Sequence, residues 1–476
     1  MNHACVVWDI GGVGSASQRA ALSFSVAGLL LLLPARAQVL TSAPVPCRIE
    51  STEFDGWQAE QLSNPWVTLT IVPQLGGRLM QIRFDGHPYL FINAKYKGQY
   101  ISPSEAGTKG RWINYGGDKL WPMPEGSQDE NHWPGPISDA LDDGAYALTV
   151  VSRAPRCTVR LDGPSDAKTG LQYSREISLG GESPEVRFHA VMKNSSDHAI
   201  QWSVQTVTQY DTSASHDSGK YNHDFWAFAP ANEHSAYLEG YHVRSGLSDD
   251  PSYSIKNSLF VLHWLPLENE VWLDSTGGWL AVVDGSTRYA MVERFRHDAA
   301  GQYPDQATLI FYKNGSTLEV DDGGSPRISP ADPENSPRYM EAEINSPVVA
   351  MEPGKSYAMD TEWFPVRMGK EFTSVAEAGV AGAPLSATRT AHGVRLAGSL
   401  GVFLPGRLEV QLSDSRGVKL GSVSLKTVNP KDEIELDEEV DAPAAAWQVS
   451  VHLIDLHGKD RGTIATAAIK PSDRSS

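Results

Sequence analysis

The sequence predicts an all-β protein built as two β-sandwiches of unequal size. Three observations carry this. Runs rich in Val, Ile, Thr, Tyr, Phe and Trp recur along the chain, Gly, Pro, Asn and Asp interrupt them roughly every ten residues, and 3.6-residue periodicity is almost absent. At 476 residues the chain exceeds what one ordinary core organises, so two domains are expected.

The first element is an export signal. Arg19 precedes the apolar run Leu22 to Leu33, which is too short to cross a bilayer, and Ala35-Arg36-Ala37 offers the small residues a signal peptidase reads. Residues 1–37 are therefore expected to be removed. The mature chain is expected in the periplasm or outside the cell, with no membrane insertion after cleavage. A net charge of −18 argues against nucleic acid or an anionic membrane as a partner. Cys47 and Cys157 remain after processing, and an oxidising compartment permits either one disulfide or two buried thiols.

Strands are expected over Val67 to Val72, Leu79 to Phe84, Ala145 to Ser152, Glu185 to Met192, Gln201 to Gln209, Trp279 to Val283, Ala307 to Tyr312 and Tyr357 to Val366. They assign residues 44–372 to a large β-sandwich domain. A short helix is expected around Ser374 to Ala381, within a Gly/Ala/Pro-rich linker over 373–384. Beyond it Leu408 to Leu412, Val418 to Leu425, Ile434 to Leu436 and Trp447 to Ile454 alternate with turns, which fits a small immunoglobulin-like sandwich over 385–470.

Strand patterning fails over Arg111-Trp112-Ile113-Asn114-Tyr115-Gly116-Gly117-Asp118-Lys119-Leu120-Trp121-Pro122, closely followed by His132-Trp133, so an ordered loop is expected there. Its residues are those of a sugar site. Indoles such as Trp121 stack on the C–H face of a pyranose, Arg111, Asn114, Asp118 and Lys119 supply directional hydrogen bonds, and the paired glycines admit a ligand close to the backbone. The alternative is that Trp112, Trp121 and Trp133 plug one end of the sandwich, with Asp118 and Lys119 a surface ion pair.

In Tyr339-Met340-Glu341-Ala342-Glu343-Ile344-Asn345, strand geometry puts Glu341, Glu343 and Asn345 on one face. Facing a cleft, two such carboxyls would raise one another's pKa, as a general acid or base requires; facing solvent, the pattern is ordinary. His216, His223, His234, His242, His263 and His297 are further candidates. The first four lie in a stretch without clear strands, and a structural role is the better reading for any one of them. A G-x-S-x-G elbow, a P-loop, an H-E-x-x-H pair and metal-binding Cys/His spacings are all missing, so no metal and no cofactor is expected.

The order of these segments resembles the galactose mutarotase-like superfamily, which includes the aldose 1-epimerases. Val72-Pro73-Gln74-Leu75-Gly76-Gly77-Arg78-Leu79 with Asp85-Gly86 is similar to its opening strand pair. The Asn194-Ser195-Ser196-Asp197 turn and Gln201 to Gln209 are similar to its central strand, and Tyr339 to Glu343, Glu352-Pro353-Gly354 and the Trp363 strand to its closing pattern. More specifically, Gly116 to Pro122 resembles the GGDKLWP signature of an uncharacterised branch of secreted bacterial proteins.

The resemblance implies a supersandwich with a saccharide ligand. It places Glu341, with Glu343 next, at the general base of an epimerase, and Gln205 or Thr206 where that family has its general-acid histidine. His297, or a histidine between 216 and 242, would then have to substitute. The expected function is a secreted carbohydrate-active or carbohydrate-binding protein, an epimerase-like isomerase if catalytic. A non-catalytic binding module, and a glycoside hydrolase or lyase pairing Glu341 with Asp118, are the alternatives.

Overall fold

The computed structural model describes residues 47–102, 113–125, 140–214, 217–315, 318–320, 326–328, 337–368 and 371–471. The expected export signal, together with Arg111, Trp112, His132, Trp133 and His216, lies outside them.

Among the described residues, a 12-stranded and a 10-stranded sheet account for almost everything before residue 368. Their inner faces share one apolar core. Leu69, Ile82, Val204 and Phe311 come from the first sheet, Leu161, Tyr173, Phe188 and Trp363 from the second, and each is at most 2% exposed. From its middle to one edge the first sheet runs Arg78–Phe84, Asp118–Met123, Ile200–Asp211, Tyr339–Asn345, Leu309–Lys313, Asn269–Leu273 and His242–Ser245, paired antiparallel throughout. Val67–Val72 forms over the residues its β-branched composition predicts. Cys47 and Cys157 are disulfide-bonded with Cα atoms 5.8 Å apart, tying the start of the first sheet's edge strand to the second sheet.

Three expectations are corrected. No helix forms over Ser374 to Ala381. Ser374–Val375 and Gly379–Ala381 are short strands, the second paired with Val394–Val402, so residues assigned to a linker belong to the nine-stranded C-terminal sheet. A Cβ on Gly379 would lie 2.1 Å from the Gly401 carbonyl oxygen, an approach that glycine allows. That sheet encloses its own core of Val394, Leu396, Leu408, Val410, Val449 and Val451.

The polar stretch after residue 216 is not one long loop, because Phe225–Pro230 forms a strand of the second sheet with Phe225, Ala227 and Ala229 turned into the core. Most important for function, Asp118–Met123 is a central strand with every residue buried. Alternation disappears when both faces are covered, and the pairing partners that make Asp118 and Lys119 tolerable there come from distant parts of the chain. Pro122 fits because the strand touches Arg78–Phe84 only at Leu79↔Asp118 and afterwards pairs only with Ile200–Asp211.

Candidate functional site

Gly116 and Gly117 deliver the central strand into the sheet at φ 95° and 78°. A Cβ would meet the Phe91 carbonyl oxygen at 2.2 Å from the first and the Leu79 carbonyl oxygen at 2.7 Å from the second, so the glycines admit neighbouring backbone and not a ligand. The side chains then divide by parity. Asp118 and Leu120 face the inter-sheet core; Lys119, Trp121 and Met123 face the opposite way.

Asp118 is fully buried, ion-paired with Arg175 of the second sheet and accepting a 3.0 Å hydrogen bond from Thr208 Oγ1. It is therefore no ligand for a sugar and no partner for Glu341 across a cleft. Lys119 is likewise committed. Its ammonium lies 3.1 Å from Asp142 Oδ1 and 3.6 Å from the centre of the Trp121 ring. Asp142 sits on the one-turn helix Ala140–Asp143; the same oxygen accepts from Trp121 Nε1 at 2.8 Å and from Arg78 Nη2 at 2.8 Å. Burial alone would raise the Asp142 carboxyl, but Lys119 and Arg78 outweigh it and hold it below the usual range. Asn114 accepts from the Gly116 backbone N–H at 3.0 Å and shapes the turn.

On the face where Trp121 lies, register across the strands builds a floor, since residues directly opposite in an antiparallel pair share a side. One row reads Lys119, Val207, Glu343, Ile310, Trp272, His242, and the next Gln209, Glu341, Tyr312, Glu270. Above it opens a cleft of about 440 Å³ lined by Trp121, Gln205, Glu341, Glu343, Tyr339, Tyr312, Trp272 and Glu270, with Arg244 and Glu125 among the others. Trp121, Gln205, Glu341 and Glu343, which lie far apart in the sequence, thus meet in one place. His297 does not join them. It stacks on Tyr303, ring centres 5.4 Å apart, and is not part of the lining. Arg111 lies outside the described residues.

The two glutamates are held alike. Gln209 Nε2 donates to Glu341 Oε1 at 2.5 Å and Gln205 Nε2 to Glu343 Oε2 at 2.6 Å. Both carboxyls are pushed up, mainly by burial. At Glu341 the Lys119 charge and the Gln209 hydrogen bond oppose the rise, whereas Glu343 is driven well above the carboxylate range because the Glu341 charge adds to burial. Both carboxyls thus hold their protons more tightly than an ordinary glutamate, Glu343 the more strongly of the two. Among the described residues no group of three or more His, Cys, Asp or Glu is arranged to hold a metal ion.

Tyr312, Tyr339, Glu270, Trp272 and Arg244 were not anticipated from sequence. The alternation Glu270-Val271-Trp272 was a usable signal, because it puts a carboxyl and an indole on one strand face just as Glu341 and Glu343 share theirs.

No family model and no curated protein sequence matches the chain. Among solved structures it is similar to a galactose mutarotase-like protein from Clostridium acetobutylicum, at 11% identity over 68% of this chain and 99% of that one with a TM-score of 0.42. It is also similar to one from Lactobacillus casei, at 9% identity, 67% and 100% coverage and a TM-score of 0.38. A TPR-domain containing protein from Parabacteroides distasonis aligns at 12% identity over 70% of this chain with a TM-score of 0.41, and the chain spans only 54% of that protein. Such distant likenesses say nothing about activity.

Proposed function

We propose that this chain is an exported carbohydrate-active protein that binds a saccharide in the Trp121 cleft and exchanges protons at its anomeric centre, as an epimerase-like isomerase. The observation that carries the reading is the Glu341/Glu343 pair: two buried carboxyls on one strand face, each anchored by a single glutamine amide and each pushed up.

Such a pair can act as base and acid in turn. Glu341, kept the more acidic by Lys119, takes the proton of the anomeric hydroxyl while Glu343 gives its proton to the ring oxygen. The bond from the anomeric carbon to the ring oxygen breaks and leaves an open-chain aldehyde. Rotation about the adjacent C–C bond and the reverse proton transfers close the ring with the other configuration. Tyr312, Tyr339 and the two indoles supply apolar walls, and Gln205 can offer its carbonyl oxygen to a hydroxyl. Export is supported by the Leu22 to Leu33 run and by the Cys47–Cys157 bond, which suits an oxidising compartment. Amino-terminal sequencing of the mature protein should begin at Gln38.

Anomer interconversion followed by NMR on a panel of aldoses tests the chemistry. The wild type should exceed the buffer rate, with Glu341→Gln and Glu343→Gln each losing at least ~100-fold. No rate above buffer on any aldose removes catalysis. One observation favours a second reading, a non-catalytic saccharide-binding module. No histidine is among the cleft's lining residues in the described part of the chain: His297 lies away from it, and His242, at the outer end of the floor, stacks on Tyr237. Saccharide binding without turnover would establish that reading. A hydrolase pairing Glu341 with Asp118 is not supported, since the two carboxyls lie on opposite faces of the sheet.

A further inference from the structure

The cleft carries two indoles built in the same way. Trp121 donates its Nε1 hydrogen to a carboxylate, Asp142, and carries a cation, Lys119, over its ring at 3.6 Å. Trp272 donates its Nε1 hydrogen to the carboxylate of Glu270 and carries Arg244 over its ring at 5.5 Å. Each ring is thus fixed at its polar edge by a carboxylate and at one face by a positive charge, an arrangement that pre-organises an apolar wall before any ligand arrives. The supporting residues are unrelated in sequence position, so the duplication belongs to the cleft and not to a repeat.

Their placement is symmetric about the glutamates. Trp121 lies on Asp118–Met123 and Trp272 on Asn269–Leu273, and Tyr339–Asn345, which bears Glu341 and Glu343, is midway, two strands from each. Four strand spacings separate the two indole strands, roughly 19 Å along the sheet at ~4.8 Å per spacing. From the glutamate strand each indole-bearing strand is two spacings away, roughly 10 Å, which leaves room for one further ring on either side. A ring over the glutamates leaves each indole beside a neighbouring ring.

From this geometry we infer that the cleft is a subsite groove for a saccharide of more than one ring, with the reacting ring over Glu341 and Glu343 and adjoining rings against Trp121 and Trp272. The inference rests on the saccharide-binding reading and narrows it from free monosaccharides to oligosaccharides or chain ends.

Calorimetric titration of the full-length mature protein with α- and β-linked gluco- and galacto-oligosaccharides of one to four rings tests this. Affinity should rise roughly tenfold, ~1.4 kcal/mol, with each of the first two added rings and then level off. Trp121→Ala and Trp272→Ala should each abolish one of those two steps while the other step remains. Because both indoles are nearly buried, Trp121→Phe and Trp272→Phe, checked by thermal melting, serve where an alanine variant fails to fold, and each should weaken its own step. Equal affinity for one and four rings would overturn the groove while leaving saccharide binding intact. Failure of every saccharide to bind would overturn the binding reading itself.

Discussion

Two buried clusters of carboxyl groups lie on either side of the first sheet, one in the core between the sheets and one in the cleft, and they are partnered differently. On the core side, Asp118 is matched by the Arg175 guanidinium and Glu293 by the Tyr210 hydroxyl at 2.5 Å. On the cleft side, Glu341 and Glu343 have one amide each and one another. Burial is nearly complete in both places, with Asp118 and Glu293 0% exposed and Glu341 and Glu343 6% and 7%, so their partners distinguish them. Asp118 has its own cation and joins the two sheets, whereas Glu293 in the core and Glu343 in the cleft lack one and are both pushed up; what separates the two sides is that only the cleft side is open to a ligand.

The largest effect expected from breaking this contrast is on the core side. Arg175→Met strands Asp118 in an apolar layer and should cost about 3–5 kcal/mol in a denaturant titration, because removing one partner of a buried pair leaves the other's desolvation uncompensated. A loss below about 1 kcal/mol would mean that Asp118 is held by Thr208 and neutralised, making it more like the cleft pair than the contrast allows.

Next is pH. Burial, with the Asp118 charge adding to it and Tyr210 opposing, raises the Glu293 carboxyl from 4.5 to about 8. A folded-state pKa above the unfolded value means the folded protein binds the extra proton. Its contribution is therefore full below about pH 4.5 and is lost as pH rises toward 8, with a slope of up to ~1.4 kcal/mol per pH unit. Glu343 acts in the same direction. Melting temperatures of Glu293→Gln between pH 5 and 8 should show a clearly flatter decline than wild type; an unchanged slope would place the titrating group elsewhere.

The smallest effect sharpens the contrast most. Glu343→Gln replaces a carboxyl that burial and the Glu341 charge push up by a group of similar shape and should change stability at pH 7 by less than ~1 kcal/mol, while removing its titrating proton. A destabilisation comparable to that of Arg175→Met would show Glu343 to be a structural ion, and the two faces would then be alike.

How much of this was legible depended on distance along the chain. Glu341 and Glu343 could be placed on one face because strand parity is fixed two residues at a time, and the same rule makes Trp121 a neighbour of Lys119 and not of Asp118 once a strand is granted. The strand itself could not be seen in Asp118–Met123. Its charged residues are satisfied by Arg175, Asp142 and Arg78, which no local pattern reveals. His297 was a reasonable substitute acid from its position after Tyr289–Phe295, yet the chain turns it onto Tyr303. Trp272 and Glu270 were missed because nothing near them in sequence points to Glu341; only the pairing through Leu309–Lys313 makes them neighbours.

The sequence by itself determined the β character, most strand positions and which residues within a strand share a face, since these follow from local sterics and a period of two. The tertiary structure decided which of the two faces opens into a cleft, which buried charges receive a counter-ion, and that Cys47 meets Cys157 across a separation of 110 residues. Those outcomes depend on which strands become neighbours, a choice made by the packing of two whole sheets against one core, and a strand's own residues do not encode their partners.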